Sequence, residues 1–302
     1  MKPDWIDPTE YPFKSNYFSV NGHKLHYIDE GSGPVLLFVH GTPSWSFEYR
    51  NCIKELRSSY RCIAVDHIGF GLSDKPETYD YSTINHSRTL ERFILEKNLT
   101  DVTLVVHDFG GPIGLNAAIN HPGRFKKLII INSWLWSSES DPDFQKIKWV
   151  LKSPLLPFLY RYLNFETKVL LPASFGDKKP GRDISRHYSK PFNSRKEQGG
   201  TVAFARSLVN DQEWFQELWD KKDAISDKPV LLIWGMKDPI VKPHNLENFQ
   251  KGFPNSNILE LETCGHFPHE EVPERVTDAI AGFMETNGSN TLKAEINNQD
   301  PG

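Results

Sequence analysis

An aspartate set between a strand and a pair of glycines can attack carbon, provided the backbone turns sharply enough to hold its carboxylate in the open. Asp108 stands in such a setting, Val106-His107-Asp108-Phe109-Gly110-Gly111-Pro112. It comes directly after the apolar run Val102–Val106 and opens the helix-like stretch that contains Ile113-Gly114-Leu115. A strand entering a helix through a Gly-rich corner projects its apex residue above the sheet, with the helix N-terminus beneath it. A carboxylate is ionised at neutral pH and needs no base to activate it, and free N–H groups at the helix start favour that charge. An aspartate there can equally serve as a helix cap, so the rest of the chain decides.

Two further segments weigh in. Trp234-Gly235-Met236-Lys237-Asp238-Pro239 follows the run Val230–Trp234, and Thr263-Cys264-Gly265-His266-Phe267-Pro268 follows the strand-like Asn257–Leu261. Singly, Asp238 reads as a turn former and His266 as a structural imidazole. Together, Asp108, Asp238 and His266 give the chain order nucleophile, orienting acid, base, each just past a strand. His40-Gly41-Thr42-Pro43 follows the run Val35–Val39. There the backbone N–H of Thr42 can turn towards the nucleophile and, with that of Phe109, form an oxyanion hole.

The elements that must position these residues are short β-branched runs alternating with helix-length stretches. Val35–Val39, Cys62–Val65, Val102–Val106, Leu128–Ile131 and Val230–Trp234 read as strands buried on both faces, as in a parallel sheet covered by helices. Residues 16–30 predict an antiparallel pair around the turn Asn21-Gly22. The class is α/β, a mostly parallel sheet flanked by helices, with ligands expected beyond the strands' carboxyl ends. From 134 to 214 no such strand run occurs, and Trp, Tyr, Phe, Leu and Pro dominate. This interval predicts a helical cap inserted into a core made of 1–133 and 215–285, walling an apolar pocket. The polar, Asn-rich stretch 286–302 predicts a flexible tail.

Composition removes several classes. With 38% hydrophobic residues the 302-residue chain can bury a core. Thirty-five Lys and Arg against 39 Asp and Glu leave a formal charge of −4, which gives no electrostatic case for nucleic acid. No apolar run reaches the roughly 18 residues of a membrane span, and Met1-Lys2-Pro3-Asp4-Trp5 lacks a secretory h-region. Three cysteines, Cys52, Cys62 and Cys264, sit in no metal-ligand spacing and read as free thiols in a reducing cytoplasm. His40 and His107 are expected to support turns, and Asp66 and Asp74 to organise the loop after Cys62–Val65.

From Tyr17 to Phe283 the chain resembles the α/β hydrolases of the haloalkane dehalogenase and epoxide hydrolase group. The resemblance is carried by His40-Gly41-Thr42-Pro43-Ser44-Trp45-Ser46-Phe47-Glu48-Tyr49-Arg50, Asp66-His67-Ile68-Gly69-Phe70-Gly71-Leu72-Ser73-Asp74-Lys75-Pro76, Val105-Val106-His107-Asp108-Phe109-Gly110-Gly111, Gly235-Met236-Lys237-Asp238 and Gly265-His266-Phe267. It implies that Asp108 forms an alkyl ester, that His266 oriented by Asp238 activates the water that cleaves it, and that Thr42 and Phe109 hold the oxyanion. It implies no metal and no organic cofactor. Haloalkane dehalogenase-like hydrolysis of a small apolar substrate leads; epoxide hydrolysis and β-lactone processing are the alternatives, the last through Asp66-His67-Ile68-Gly69. A ligand-binding protein that keeps the scaffold is the non-enzyme rival. Either a monomer or a homodimer is compatible.

Two departures stand out. Phe109 occupies the place where the group carries a Trp whose indole N–H holds the leaving halide, and Thr42 replaces an Asn or Glu. Leaving-group donors are therefore expected from the insertion. Trp149 leads, Trp134 and Trp136 stand behind it, and Tyr160, Tyr162 and Tyr188 could serve an epoxide oxygen.

Overall fold

The computed structural model describes residues 2–286, so the expected tail lies, apart from Thr286, outside the described residues. Strands β1 (Asn16–Val20) and β2 (His23–Glu30) form a hairpin closed by Asn21 and Gly22 at φ 51° and 83°. This is the two-residue turn whose twist suits the flanking strands. Then come β3 (Val35–Val39), β4 (Arg61–Val65), β5 (Val102–Asp108), β6 (Phe125–Ser133), β7 (Val230–Gly235) and β8 (Asn257–Leu261). All eight make one sheet in the order β1-β2-β4-β3-β5-β6-β7-β8. The pairs β1–β2 and β2–β4 are antiparallel and the rest parallel. The α/β expectation holds, with β5 and β6 running further than their apolar runs.

Strand periodicity splits the core into two layers. Leu37, Val39, Leu104, Val106, Leu128, Ile130, Leu232 and Trp234 enter one; Leu36, Phe38, Val105, Ile129, Ile131, Leu231 and Ile233 enter the other. Each such side chain fully withdrawn from water contributes about 1.5–3 kcal/mol, so the central strands are a rigid floor. Helices α1 (Arg50–Leu56), α2 (Thr83–Glu96) and α3 (Gly110–Asn120) belong to the first half of the fold. Between β6 and β7 lie α4 (Pro142–Lys152), α5 (Leu156–Leu163), α6 (Leu171–Ser174), α7 (Arg182–Ser189), α8 (Gly199–Asn210) and α9 (Gln212–Asp220), the last crossing position 214. This inserted region has a small core of its own around Phe144, Leu151, Leu156, Tyr160, Val202 and Ala205. Helices α10 (His244–Gly252), α11 (Pro268–Glu271) and α12 (Pro273–Glu285) complete the chain. Among the described residues no helix is long and apolar enough to cross a membrane.

Candidate active site

The carboxyl ends of β3, β5, β6, β7 and β8 converge on one edge of the sheet, and all three chemically suspect residues are there. Asp108 ends β5 at φ 52°, where its pairing with β6 shifts register. A left-handed backbone at a non-glycine residue costs of order 1–3 kcal/mol and persists only where its surroundings enforce it. Here the Ser133 hydroxyl donates to the Asp108 carbonyl at 2.7 Å. The Thr42 N–H donates to Oδ1 at 2.9 Å, so one carboxylate oxygen is fixed by backbone.

That approach requires glycine at position 41. A Cβ there would lie 2.1 Å from Asp108 Oδ1, 2.4 Å from its Cβ and 2.6 Å from its Cγ. Gly41→Ala is expected to push the carboxylate off the Thr42 N–H and reduce kcat/KM by about 10²-fold. The three nearest atoms all belong to one side chain, so far-UV circular dichroism and cooperative melting should persist. A kinetically normal Gly41→Ala enzyme would show that this contact does not set the carboxylate's position.

His266 reaches Asp108 from the other side. Its Nε2 stands 3.3 Å from Asp108 Oδ2 without hydrogen-bond geometry, and its Nδ1–H donates to Asp238 Oδ2 at 2.6 Å. Burial opposes charge on this imidazole, but the Asp238 and Asp108 carboxylates outweigh it and raise the pKa to about 10. Esterifying Asp108 would remove one of those charges and shift the ring towards the neutral form that can act as a base. Asp238 is saturated: Oδ1 accepts the N–H groups of Ile240 (2.7 Å) and Val241 (3.0 Å), and Oδ2 accepts from Asn132 Nδ2 (2.8 Å) besides His266. The loop itself is anchored, since the His266 N–H donates to the Ser174 carbonyl (2.8 Å) and the His266 carbonyl accepts from His107 Nε2 (2.7 Å).

His107 belongs to a buried cluster beneath His266. Glu48, His107 and His269 bring one potential ligand atom each within 4.8 Å of one another, the only such metal-capable group found among the described residues. His107 Nδ1 contacts Glu48 Oε2 at 3.3 Å. Burial works against the Glu48 charge, but His107 and His269 hold its carboxyl well below the usual range. The group reads as a buried polar cluster that braces the loop above it, through the His107 hydrogen bond to the His266 carbonyl.

The expected leaving-group donors separate. Trp134 is buried and meets Phe109 edge-on, ring centroids 4.9 Å apart, beside the nucleophile. Phe109 itself is the N-cap of α3. Tyr160 is buried in α5, its hydroxyl pushed far up by burial and by Glu166. Trp149 is a correction: it is 72% exposed, since it stands about 140° around α4 from the inward-facing Phe144. Trp136 is also turned away, packed on Trp219 and Phe249. Tyr162 is exposed and stacks on Phe158, and the Tyr188 hydroxyl is committed to Glu270 at 2.7 Å; neither faces an incoming epoxide.

Two residues escaped the sequence reading. Asn132, at φ 32°, joins β6 to β7 by donating to Asp238 and accepting the Gly235 N–H at 2.9 Å; a polar residue directly after Leu128–Ile131 was its signal. Glu166 opens a π-helical turn, Glu166–Leu170. It is buried, and its Oε1 accepts from Thr42 Oγ1 at 3.0 Å. Its signal was that it is the one acid between Asp143 and Asp177.

Comparison with known proteins agrees with the fold. A family model described as alpha/beta hydrolase fold matches residues 34–273. The chain is 33% identical over 301 residues to a cis-3-alkyl-4-alkyloxetan-2-one decarboxylase of Shewanella oneidensis, covering 97% of this chain and 94% of that one. It is 32% identical over 276 residues to haloalkane dehalogenase 2 of Mycobacterium bovis, covering 91% and 96%. A solved haloalkane dehalogenase from Agrobacterium tumefaciens C58 superposes with a TM-score of 0.81 at 26% identity, covering 90% of this chain and 96% of that one.

Proposed function

The chain belongs to the α/β-hydrolase fold family, in its haloalkane dehalogenase-like branch, and on that premise we propose that Asp108 is the nucleophile of a two-step covalent hydrolysis. In the first step a carboxylate oxygen attacks an electrophilic carbon, the leaving group departs with its bonding electrons, and an alkyl ester forms. In the second, His266, oriented by Asp238, takes a proton from a water molecule that attacks the ester's carbonyl carbon. The N–H groups of Thr42 and Phe109 hold the resulting oxyanion. On collapse the departing alkoxide takes the proton held by His266, and the proton left on the Asp108 carboxyl is released to solvent, which restores the carboxylate.

The observation that carries this reading is the division of labour on one carboxylate: Oδ1 held by the Thr42 N–H, Oδ2 beside the His266 imidazole at 3.3 Å. The substrate is a small uncharged molecule, and a haloalkane fits the relatives that are dehalogenases. A β-lactone is the second reading, favoured by the 33% identity to an oxetanone decarboxylase and by a Phe109 ring that offers a halide no N–H. The buried free thiols of Cys52, Cys62 and Cys264 suit a reducing, cytoplasmic setting.

Turnover in oxygen-18-labelled water tests the scheme. Water attacks the ester's carbonyl, so repeated cycles with a bromoalkane should leave label in the peptide that contains Asp108. Label in the product alcohol alone, with that peptide unlabelled after many turnovers, would mean direct attack by water on the substrate and would overturn the covalent reading.

A further inference from the structure

Glu166 stands where a carboxylate is least welcome. It is 4% exposed, and Thr42, whose hydroxyl donates to its Oε1, also touches the nucleophile through its backbone N–H. Its other oxygen, Oε2, is buried with no hydrogen-bond partner among the described residues. Burial, with the Asp108 charge nearby, pushes its pKa well above the usual carboxylate range; the hydrogen bond from Thr42 only softens that. A neutral carboxylic acid has one O–H to donate. Oε1 already accepts from Thr42, so the proton belongs on Oε2, the oxygen left unspent. The π-helical turn that presents it is a rare distortion, frequent at functional sites.

We propose that Glu166 is the acid that protonates a basic leaving oxygen as Asp108 attacks, so that the site takes epoxides. This rests on the covalent role given to Asp108 above. Asp108 forms a bond to a ring carbon, the carbon–oxygen bond breaks, and the ring oxygen keeps the electron pair and takes the Glu166 proton. The products of that step are a hydroxyalkyl ester and a Glu166 carboxylate. Water then cleaves the ester through His266, the released alkoxide takes the proton held by His266, and the proton left on the Asp108 carboxyl restores Glu166. The sum is epoxide plus water to diol. Bromide, or the carboxylate expelled from a β-lactone opened at its alkyl carbon, is a weak base that gains little from an acid; an alkoxide gains most. The acid thus fills the gap left by Phe109 with a group suited to oxygen.

The test reads the first step alone, as ester formation on a His266→Gln background by intact mass, with styrene oxide and with bromobutane. Glu166→Gln keeps the shape and removes the transferable proton. Ester formation from styrene oxide should slow by about 10²-fold or more, exceeding any loss with bromobutane by at least about tenfold. Equal losses with both, an unaffected styrene oxide rate, or a Glu166-intact site that reacts with bromobutane and never with styrene oxide would each overturn the proposal. If neither compound reacts, the covalent role of Asp108 fails first.

A second measurement is independent of turnover. The titratable groups that bear on Glu166 are Asp108 from the β5 corner and Tyr160 from α5; Thr42 and Thr201 are uncharged. A carboxyl raised in the folded state binds its proton more tightly than in the unfolded chain, so stability falls as pH climbs above the ordinary Glu range. The protein with Glu166 should therefore lose stability from about pH 5 to about pH 8 more steeply than Glu166→Gln. Superimposable curves would mean that Glu166 is ionised and cannot donate.

Discussion

His266→Gln should convert the protein from a catalyst into a reagent that reacts once and stops. The first step needs only an ionised Asp108 and a bound electrophile, and the substitution removes neither. The second needs a base 3.3 Å from the carboxylate, and glutamine is none. Steady turnover should fall by about 10⁴-fold or more, while each chain gains the mass of one alkyl group, located on Asp108. The loop should survive, because His266 is anchored through its backbone, N–H to Ser174 and carbonyl from His107. Asp108→Ala in the same background should abolish the adduct. Absence of any adduct with bromoalkane, epoxide and β-lactone alike, or steady turnover within tenfold of the unsubstituted enzyme, would refute the assignment of His266 to the second step.

Asp238→Asn should be nearly as damaging, for a reason of hydrogen-bond arithmetic. Four donors converge on Asp238: two backbone N–H groups on Oδ1, and His266 with Asn132 on Oδ2. An amide has one accepting oxygen and an NH2 group that only donates. If the NH2 faces the backbone pair, the buried N–H of Val241 and the part-buried N–H of Ile240 lose their acceptor. If it faces Oδ2's partners, His266 must carry its proton on Nε2, which leaves no lone pair to take a proton from water. Asn132 can turn to match only by surrendering the Gly235 N–H. The expected outcome is a fall in kcat of about 10⁴-fold with about 1–3 kcal/mol lost from stability, read by steady-state kinetics and urea unfolding. A rate within tenfold of normal would show that Asp238 does not orient the base.

The three residues at the strand ends were legible because a parallel sheet converts chain position into spatial position. Asp108, Asp238 and His266 each follow an apolar run, and parallel strands deliver their carboxyl ends to one edge whatever the length of the chain between them. Val35–Val39 and Asn257–Leu261 match their strands residue for residue, the first because burial on both faces leaves a continuous apolar signal. The helical insertion offered no such conversion. Its aromatic content announced packing without saying which face packs, and Trp149 was misjudged by composition where angular position on α4 excluded it. Glu166 stayed hidden for another reason. Its chemistry depends on burial and on Thr42, 124 residues away in the chain, and neither is visible in the local sequence.

The Glu271 carboxylate accepts the N–H of Gly265 at 2.8 Å and that of Gly176 at 3.0 Å, riveting the end of α6 to the segment bearing the imidazole. Those two pieces must travel together, so any swing of the insertion hinged on that flank would drag the base out of register. One carboxylate thus makes the placing of the base a property shared between the sheet edge and the insertion, and Glu271→Gln should loosen both segments together.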